Sequence, residues 1–183
     1  MSDTSWFELL VEIRELQTKL LAERPYRDTG LIPNPAARDH RIANAELRLG
    51  RPLPSSYRAF LERHDGWPRF FEGAALLGSR QLGEPGHKEH AQMLLDACEG
   101  QSDSREHELI VFGLDPQGTT VFAFDPQLVD DEGEMAVICW VQELGVLRGS
   151  FTEFLELVKD LCAAELDQVS RPEPIELVTR RSA

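Results

Sequence analysis

The sequence predicts an α+β domain, with helices first, an antiparallel meander in the middle and a closing helix at the C-terminal end. Three observations carry this expectation. Apolar residues recur at helical spacing through residues 6–20 and 151–162. The pattern changes to short β-branched and aromatic runs between residues 109 and 141. Those runs follow one another without an intervening helix, unlike the alternation that builds a parallel sheet.

The elements follow in order. Ser5 and Glu8 stand at capping-box spacing, so each side chain can satisfy a backbone donor at the first helical turn. Behind them Trp6, Leu9, Leu10, Ile13, Leu16 and Leu20 form an apolar stripe that only Gln17 interrupts. Residues 24–37 hold Pro25, Gly30, Pro33 and Pro35 and read as a linker. A second helix is expected over 38–49, stopped by Gly50, because glycine reaches the left-handed conformation of a C-terminal cap at little steric cost. A third starts near Pro54, with Tyr57, Phe60, Leu61 and His64 on one face, and Asp65 and Gly66 are expected to terminate it.

Beyond Gly66 the pattern predicts a strand over 74–82, a helix over 87–100, and a hairpin whose runs, 109–112 and 121–124, flank a turn at Asp115, Pro116, Gln117 and Gly118. An acidic loop spans 126–134, a strand covers 135–141, and 144–147 is a candidate for a further short one. Ser150 and Glu153 repeat the capping-box spacing before a helix with the stripe Phe151, Phe154, Leu155, Val158, Leu161 and Cys162. From Leu166 onward the chain reads as a loosely held tail.

Residues 46–66, ELRLGRPLPSSYRAFLERHDG, carry more than helix boundaries. The order of Glu46, Leu49, Gly50, Leu53, Pro54, Tyr57, Phe60, Leu61 and Gly66 resembles the signature of the SUKH superfamily, which includes the Smi/Knr-type proteins. Residues 111–125 look like that family's paired strands, and Ser150, Phe151, Phe154 and Leu155 like its closing helix. Two positions depart from the pattern. The family often has Asn where Asp65 stands and an acidic residue at Ser55 or Ser56. The resemblance implies a SUKH-like domain over 36–165, preceded by a helix and Pro-rich linker over 1–35 and followed by a tail over 166–183. It also implies a role in binding rather than catalysis. Bacterial members are commonly immunity proteins that block a secreted toxin domain, often a nuclease. Fungal members regulate cell-wall synthesis, so a regulatory or scaffold protein is the alternative.

A chain of 183 residues suffices for one domain that removes about 70% of its unfolded surface from water. It has no run of roughly 20 apolar residues and no charged leader before an apolar stretch, so the expected location is the cytoplasm, without membrane contact. Cys98, Cys139 and Cys162 are odd in number and lack C-x-x-C spacing, so they read as reduced core thiols. The net charge of −13 is unevenly spread: residues 84–134 hold 13 Asp and Glu against Lys88 and Arg105, while residues 24–83 hold 10 Arg against 6 acids. An acidic side of this kind repels nucleic acid and attracts a basic partner.

Motifs for chemistry are missing. His87 and His90 lie one helical turn apart, but a third ligand, His107 or Asp103, would have to be invented, so no metal or other cofactor is expected. There is no nucleophile elbow and no phosphate-binding glycine loop. The candidate toxin-binding residues are therefore the acids Asp115, Asp125, Asp130, Asp131, Glu132 and Glu134, with the aromatics Trp67, Phe70 and Phe71 as core residues or as anchors for the partner.

Overall fold

A computed structural model describes residues 5–87, 89, 109–117, 119–141 and 144–170. Among them lie the helices α1 (Trp6–Glu23), α2 (Asp39–Leu49), α3 (Ser55–Arg63) and α4 (Phe151–Ser170), and residues 85–87 and 89 are helical as well. The strands are β1 (Trp67–Phe71), β2 (Ala74–Leu76), β3 (Ile110–Leu114), β4 (Thr120–Val129), β5 (Met135–Val141) and β6 (Leu144–Arg148). All six join one antiparallel sheet in the order β1-β2-β3-β4-β5-β6, a pure meander. The α+β architecture expected from the sequence is the one observed.

The helices share one face of the sheet. At its centre Tyr57 of α3 meets the rings of Phe112, Phe124 and Phe151 edge-on at 5.1 to 5.3 Å. Its hydroxyl donates to the carbonyls of Leu77 (2.8 Å) and Phe112 (3.2 Å), so the one polar atom in this aromatic cluster is satisfied. Gly113 makes the cluster possible, because a Cβ there would collide with the Phe122 ring and lie 2.8 Å from the Ala75 carbonyl oxygen. A smaller cluster of Val121, Ala123 and Trp140 occupies the opposite face.

The capping box at Ser5 and Glu8 is present in both directions. Gln17, the break in the α1 stripe, is fully buried, and its Nε2 donates to the Phe70 carbonyl of β1. A polar residue thus fastens the first helix to the first strand. Gly50 caps α2 at φ 70°.

Several expectations need correction. Gly66 does not end α3, which stops at Arg63 with His64 as its cap. At its positive φ of 89° the chain instead passes close against residues 76–78, where a Cβ would lie 2.7 Å from the Gly78 nitrogen and 2.8 Å from the Leu76 carbonyl oxygen. The strand expected over 74–82 ends at Leu76, followed by turns. β1 was hidden by Pro68 and by a bulge that breaks its alternation, leaving Arg69 at φ 52°. The residues expected as an acidic loop are partly strand, since β4 runs through Pro126 to Val129. At the second capping box Glu153 accepts from the Gly149 nitrogen (2.9 Å) rather than from Ser150, while Ser150 Oγ accepts from Glu153 N as expected.

Residues 24–37 are not a free connection. Gly30 N donates to the Arg69 carbonyl (2.7 Å), Asn34 N to the Gly66 carbonyl (2.9 Å) and Ala37 N to the Leu61 carbonyl (2.9 Å), so the Pro-rich segment lies along the outer edge of β1. Helix α4 continues to Ser170, and Leu166 packs against the core, so the tail expected from 166 begins as helix. The helix expected over 87–100 lies mostly outside the described residues, as do Cys98, Asp103, His90, His107 and Gly118.

Candidate functional site

The nine candidate residues separate by burial. Trp67, Phe70 and Phe71 are core: Trp67 donates from Nε1 to the Gly30 carbonyl (2.6 Å), and its ring packs on Phe70 at a centroid distance of 5.4 Å. An anchor must reach the partner's surface. With 0 to 4% of each residue exposed, the structure corrects the anchor reading for all three.

Three of the carboxylates are occupied by the fold. Asp115 Oδ1 accepts from Thr119 N and Thr120 N (both 2.8 Å), with Thr119 Oγ1 on its other oxygen, which holds the β3–β4 turn. Asp125 accepts from Gln127 N (2.9 Å) beside the β4–β5 register shift. Glu134 reaches the N-terminus of α3. Its Oε1 accepts from Ser55 Oγ (2.5 Å) and Ser56 N (2.8 Å), and its Oε2 from Ser56 Oγ (2.5 Å). Where the resembled pattern often carries an acid at Ser55 or Ser56, this chain brings the carboxylate from the hairpin. There it meets free backbone donors and the positive end of the helix dipole.

The remaining three form the tip of the β4–β5 hairpin. Asp130 Oδ1 accepts from Glu132 N (2.9 Å) and Glu134 N (2.8 Å), and Gly133 at φ 82° completes the turn. Asp131 and Glu132 are exposed and have no ion-pair partner among the described residues. Beside them on the same arm Leu128 and Val129 are 44% and 49% exposed. Sequence reasoning passed over this apolar pair. Its signal was available as two apolar residues directly before three acids.

Two clefts have other chemistry. One of about 830 Å³ lies between the end of α1, Glu72 and Glu165, and both of its arginines are paired: Arg27 with Glu165 and with Glu72 (2.9 Å), and Arg24 with Glu165 (3.3 Å). Another, of about 550 Å³, is floored by Ala75, Leu77 and Leu114, with Arg69 and His87 among its lining residues. Among the described residues no three His, Cys, Asp or Glu side chains are grouped to hold a metal ion. Burial pushes the Cys139 and Cys162 thiols up to about 12, which keeps both protonated and poorly nucleophilic at neutral pH.

Helices gathered on one face of a six-stranded meander, with a charged hairpin at its margin and buried carboxylates spent on turns and a helix cap, define an α+β domain. Residues 36–157 match the model of the SMI1 / KNR4 family (SUKH-1), two thirds of the chain, and the chain belongs to that family. No curated protein matches it. No described helix is long and apolar enough to cross a membrane.

Proposed function

We propose that this SUKH-1 chain is a non-enzymatic, cytoplasmic immunity protein that binds a cognate polymorphic toxin domain, of nuclease type among others, and neutralises it by occlusion. The observation that carries the reading is the hairpin tip, where Asp130, Asp131 and Glu132 project beside exposed Leu128 and Val129 on a chain of net charge −13. Nucleases carry basic surfaces to hold a phosphate backbone, and an acidic knob competes for that surface. The carboxylates accelerate encounter, while Leu128 and Val129 supply contact area that salt does not screen.

The test uses a toxin-like domain, if a neighbouring gene encodes one, in catalytically inactive form, with stopped-flow binding at two salt concentrations. Changing Asp131→Asn and Glu132→Gln together is expected to slow association by about tenfold at low salt and to flatten its salt dependence. The melting temperature should hold, because neither side chain has an ion-pair partner among the described residues. An unaltered association rate places the interface elsewhere. No binding by the unchanged protein favours the alternative, a regulatory or scaffold role of Smi/Knr type.

A further inference from the structure

We propose that β6 is a docking edge, onto which an extended basic segment of the partner protein adds as a seventh antiparallel strand. The proposal deepens the immunity reading, since the toxin would supply that segment, but its own evidence is backbone geometry.

Val141 pairs with Leu144 across a two-residue connection, and five consecutive pairs from Val141/Leu144 to Val137/Arg148 follow without a register shift. Asp115 N donates to the Thr120 carbonyl, so Thr120 turns toward β3, Val121 and its partner Trp140 turn toward each other, and Val141 turns toward β6 to bond Leu144; such pairs alternate along an antiparallel ladder. Leu144, Val146 and Arg148 therefore bond to β5, while Gly145 and Leu147 turn their N–H and C=O groups outward. One detail agrees with this assignment. The Leu147 carbonyl accepts from Arg148's own Nη1 (2.9 Å), so it does face away from β5.

Among the described residues two of the devices that blunt an edge strand are missing here, although the strand is short and ends in the charged Arg148. β6 contains no proline and no bulge, and Leu147 is 55% exposed. On the outer face Trp140 lies against Gly145, where an added Cβ would stand 3.4 Å from the indole Nε1. That nitrogen has no hydrogen-bond partner among the described residues. Strand addition needs this combination of outward-facing backbone groups, of which the Leu147 carbonyl would exchange its Arg148 bond, with an apolar side chain beside them.

Charge selects the occupant. Two copies of a chain carrying −13 each repel. The pairing of Val137 with Arg148 puts the end of β6 at the same end of the sheet as the β4–β5 tip, which follows β4 and precedes Met135. A strand laid on β6 therefore runs toward Asp130, Asp131 and Glu132, and lysine or arginine in it would be drawn there.

The test uses two probes. The first is an eight-residue peptide alternating lysine and valine, titrated into the isotope-labelled full chain, with its glutamate–valine counterpart and a version N-methylated at alternate residues as controls. The expected result is slowed hydrogen exchange at the Gly145 and Leu147 amides with the lysine peptide alone. Exchange unchanged at both amides would overturn the proposal. The second probe is the same inactive toxin-like domain from a neighbouring gene. Leu147→Pro removes an outward donor that β5 does not use and is expected to weaken binding at least tenfold, whereas Leu147→Thr, which keeps the N–H, stays within threefold. Equal binding by wild type and Leu147→Pro overturns strand addition while leaving the immunity reading intact. If the toxin domain does not bind the wild type, the immunity reading fails and the peptide result alone decides the edge. A concentration-dependent dimer that Leu147→Pro abolishes would give the edge to a second copy and overturn the basic-partner assignment.

Discussion

At one margin of the sheet, β1 carries Pro68, a bulge and Arg69 at positive φ, and residues 30–37 cover it with backbone bonds to Arg69, Gly66 and Leu61. At the other, β6 runs for five residues in unbroken register, with Leu147 exposed and two residues' worth of backbone groups turned outward. An unprotected edge is an aggregation hazard, and most proteins blunt it. Here the N-terminal margin is blunted three times over. The contrast teaches where the molecule spends local irregularity on stability and where it keeps a regular surface. The net charge of −13 bears on the second margin, because like-charged copies resist pairing while a basic partner does not.

A matched pair of substitutions gives the largest expected effect and tests the contrast directly. A Cβ at Gly30 would collide with the Pro68 carbonyl oxygen, a backbone atom that cannot turn aside, whereas one at Gly145 meets Trp140 at an ordinary 3.4 Å. Gly30→Ala should therefore cost roughly 3 kcal/mol by lifting the cover from β1. Gly145→Ala should stay within about 0.5 kcal/mol. Urea denaturation of both variants checks this. Equal midpoints would mean that the two edges are not differently held.

Next in size is the root of the hairpin that flanks the open margin. Glu134 is 8% exposed and bonds Ser55 and Ser56 at the start of α3. Glu134→Ala is expected to destabilise by about 2 kcal/mol, at the upper end for loss of a helix cap. Glu134→Gln should lose less, because one oxygen still accepts. In contrast, Asp131→Asn should leave the melting temperature in place. A melt that moves equally for Glu134→Ala and Asp131→Asn would erase the distinction between carboxylates that hold the fold and those left free to meet a partner.

The same distinction marks what the sequence could and could not disclose. Helical periodicity located α1, α3 and α4 because their buried stripes are local patterns, the glycine cap at Gly50 located the end of α2, and β5 was read over its observed bounds, 135–141. β1 was missed because its evidence is not local. Its proline and bulge are tolerable only on an edge that residues 30–37 complete from 37 positions away, through the Trp67 bond to Gly30. Gln17 looked like a flaw in a stripe for the same reason, since its partner is the Phe70 carbonyl. In the candidate site, composition identified the acidic stretch. Whether a given acid was free depended on backbone donors that only the folded turns present to Asp115 and Glu134.

Leu147→Pro also makes a stability prediction. Because β5 does not use the Leu147 N–H in the assigned alternation, the substitution should cost less than about 1 kcal/mol, as proline is tolerated on the solvent side of an edge strand. A proline at Val146, whose N–H faces β5, should cost more by one ladder bond, about 1 kcal/mol further. Amide exchange across Val137 to Val141 reads the difference. Equal loss from the two prolines would show that the alternation has been assigned the wrong way round.

The smallest effect expected is a pH dependence on the closed margin alone. His64 lies at the end of α3 between the rings of Phe60 and Trp67, and burial lowers its pKa from the ordinary 6.5. A hydrogen bond to the Asn34 backbone pulls it partly back up, and the neighbouring Arg63 pushes it further down. A histidine harder to protonate folded than unfolded makes the unfolded chain the better proton acceptor, so stability rises with pH through this window. The loss begins as pH falls through 6.5 and is complete below the lowered folded value. Because Asn34 belongs to the segment bonded along β1, amide exchange should quicken first at residues 30–37 on acidification, while β6 keeps its neutral-pH rates. In a His64→Gln variant the slope of stability between pH 7 and 5 should flatten. An unchanged slope would show that His64 does not carry the acid sensitivity of the closed edge.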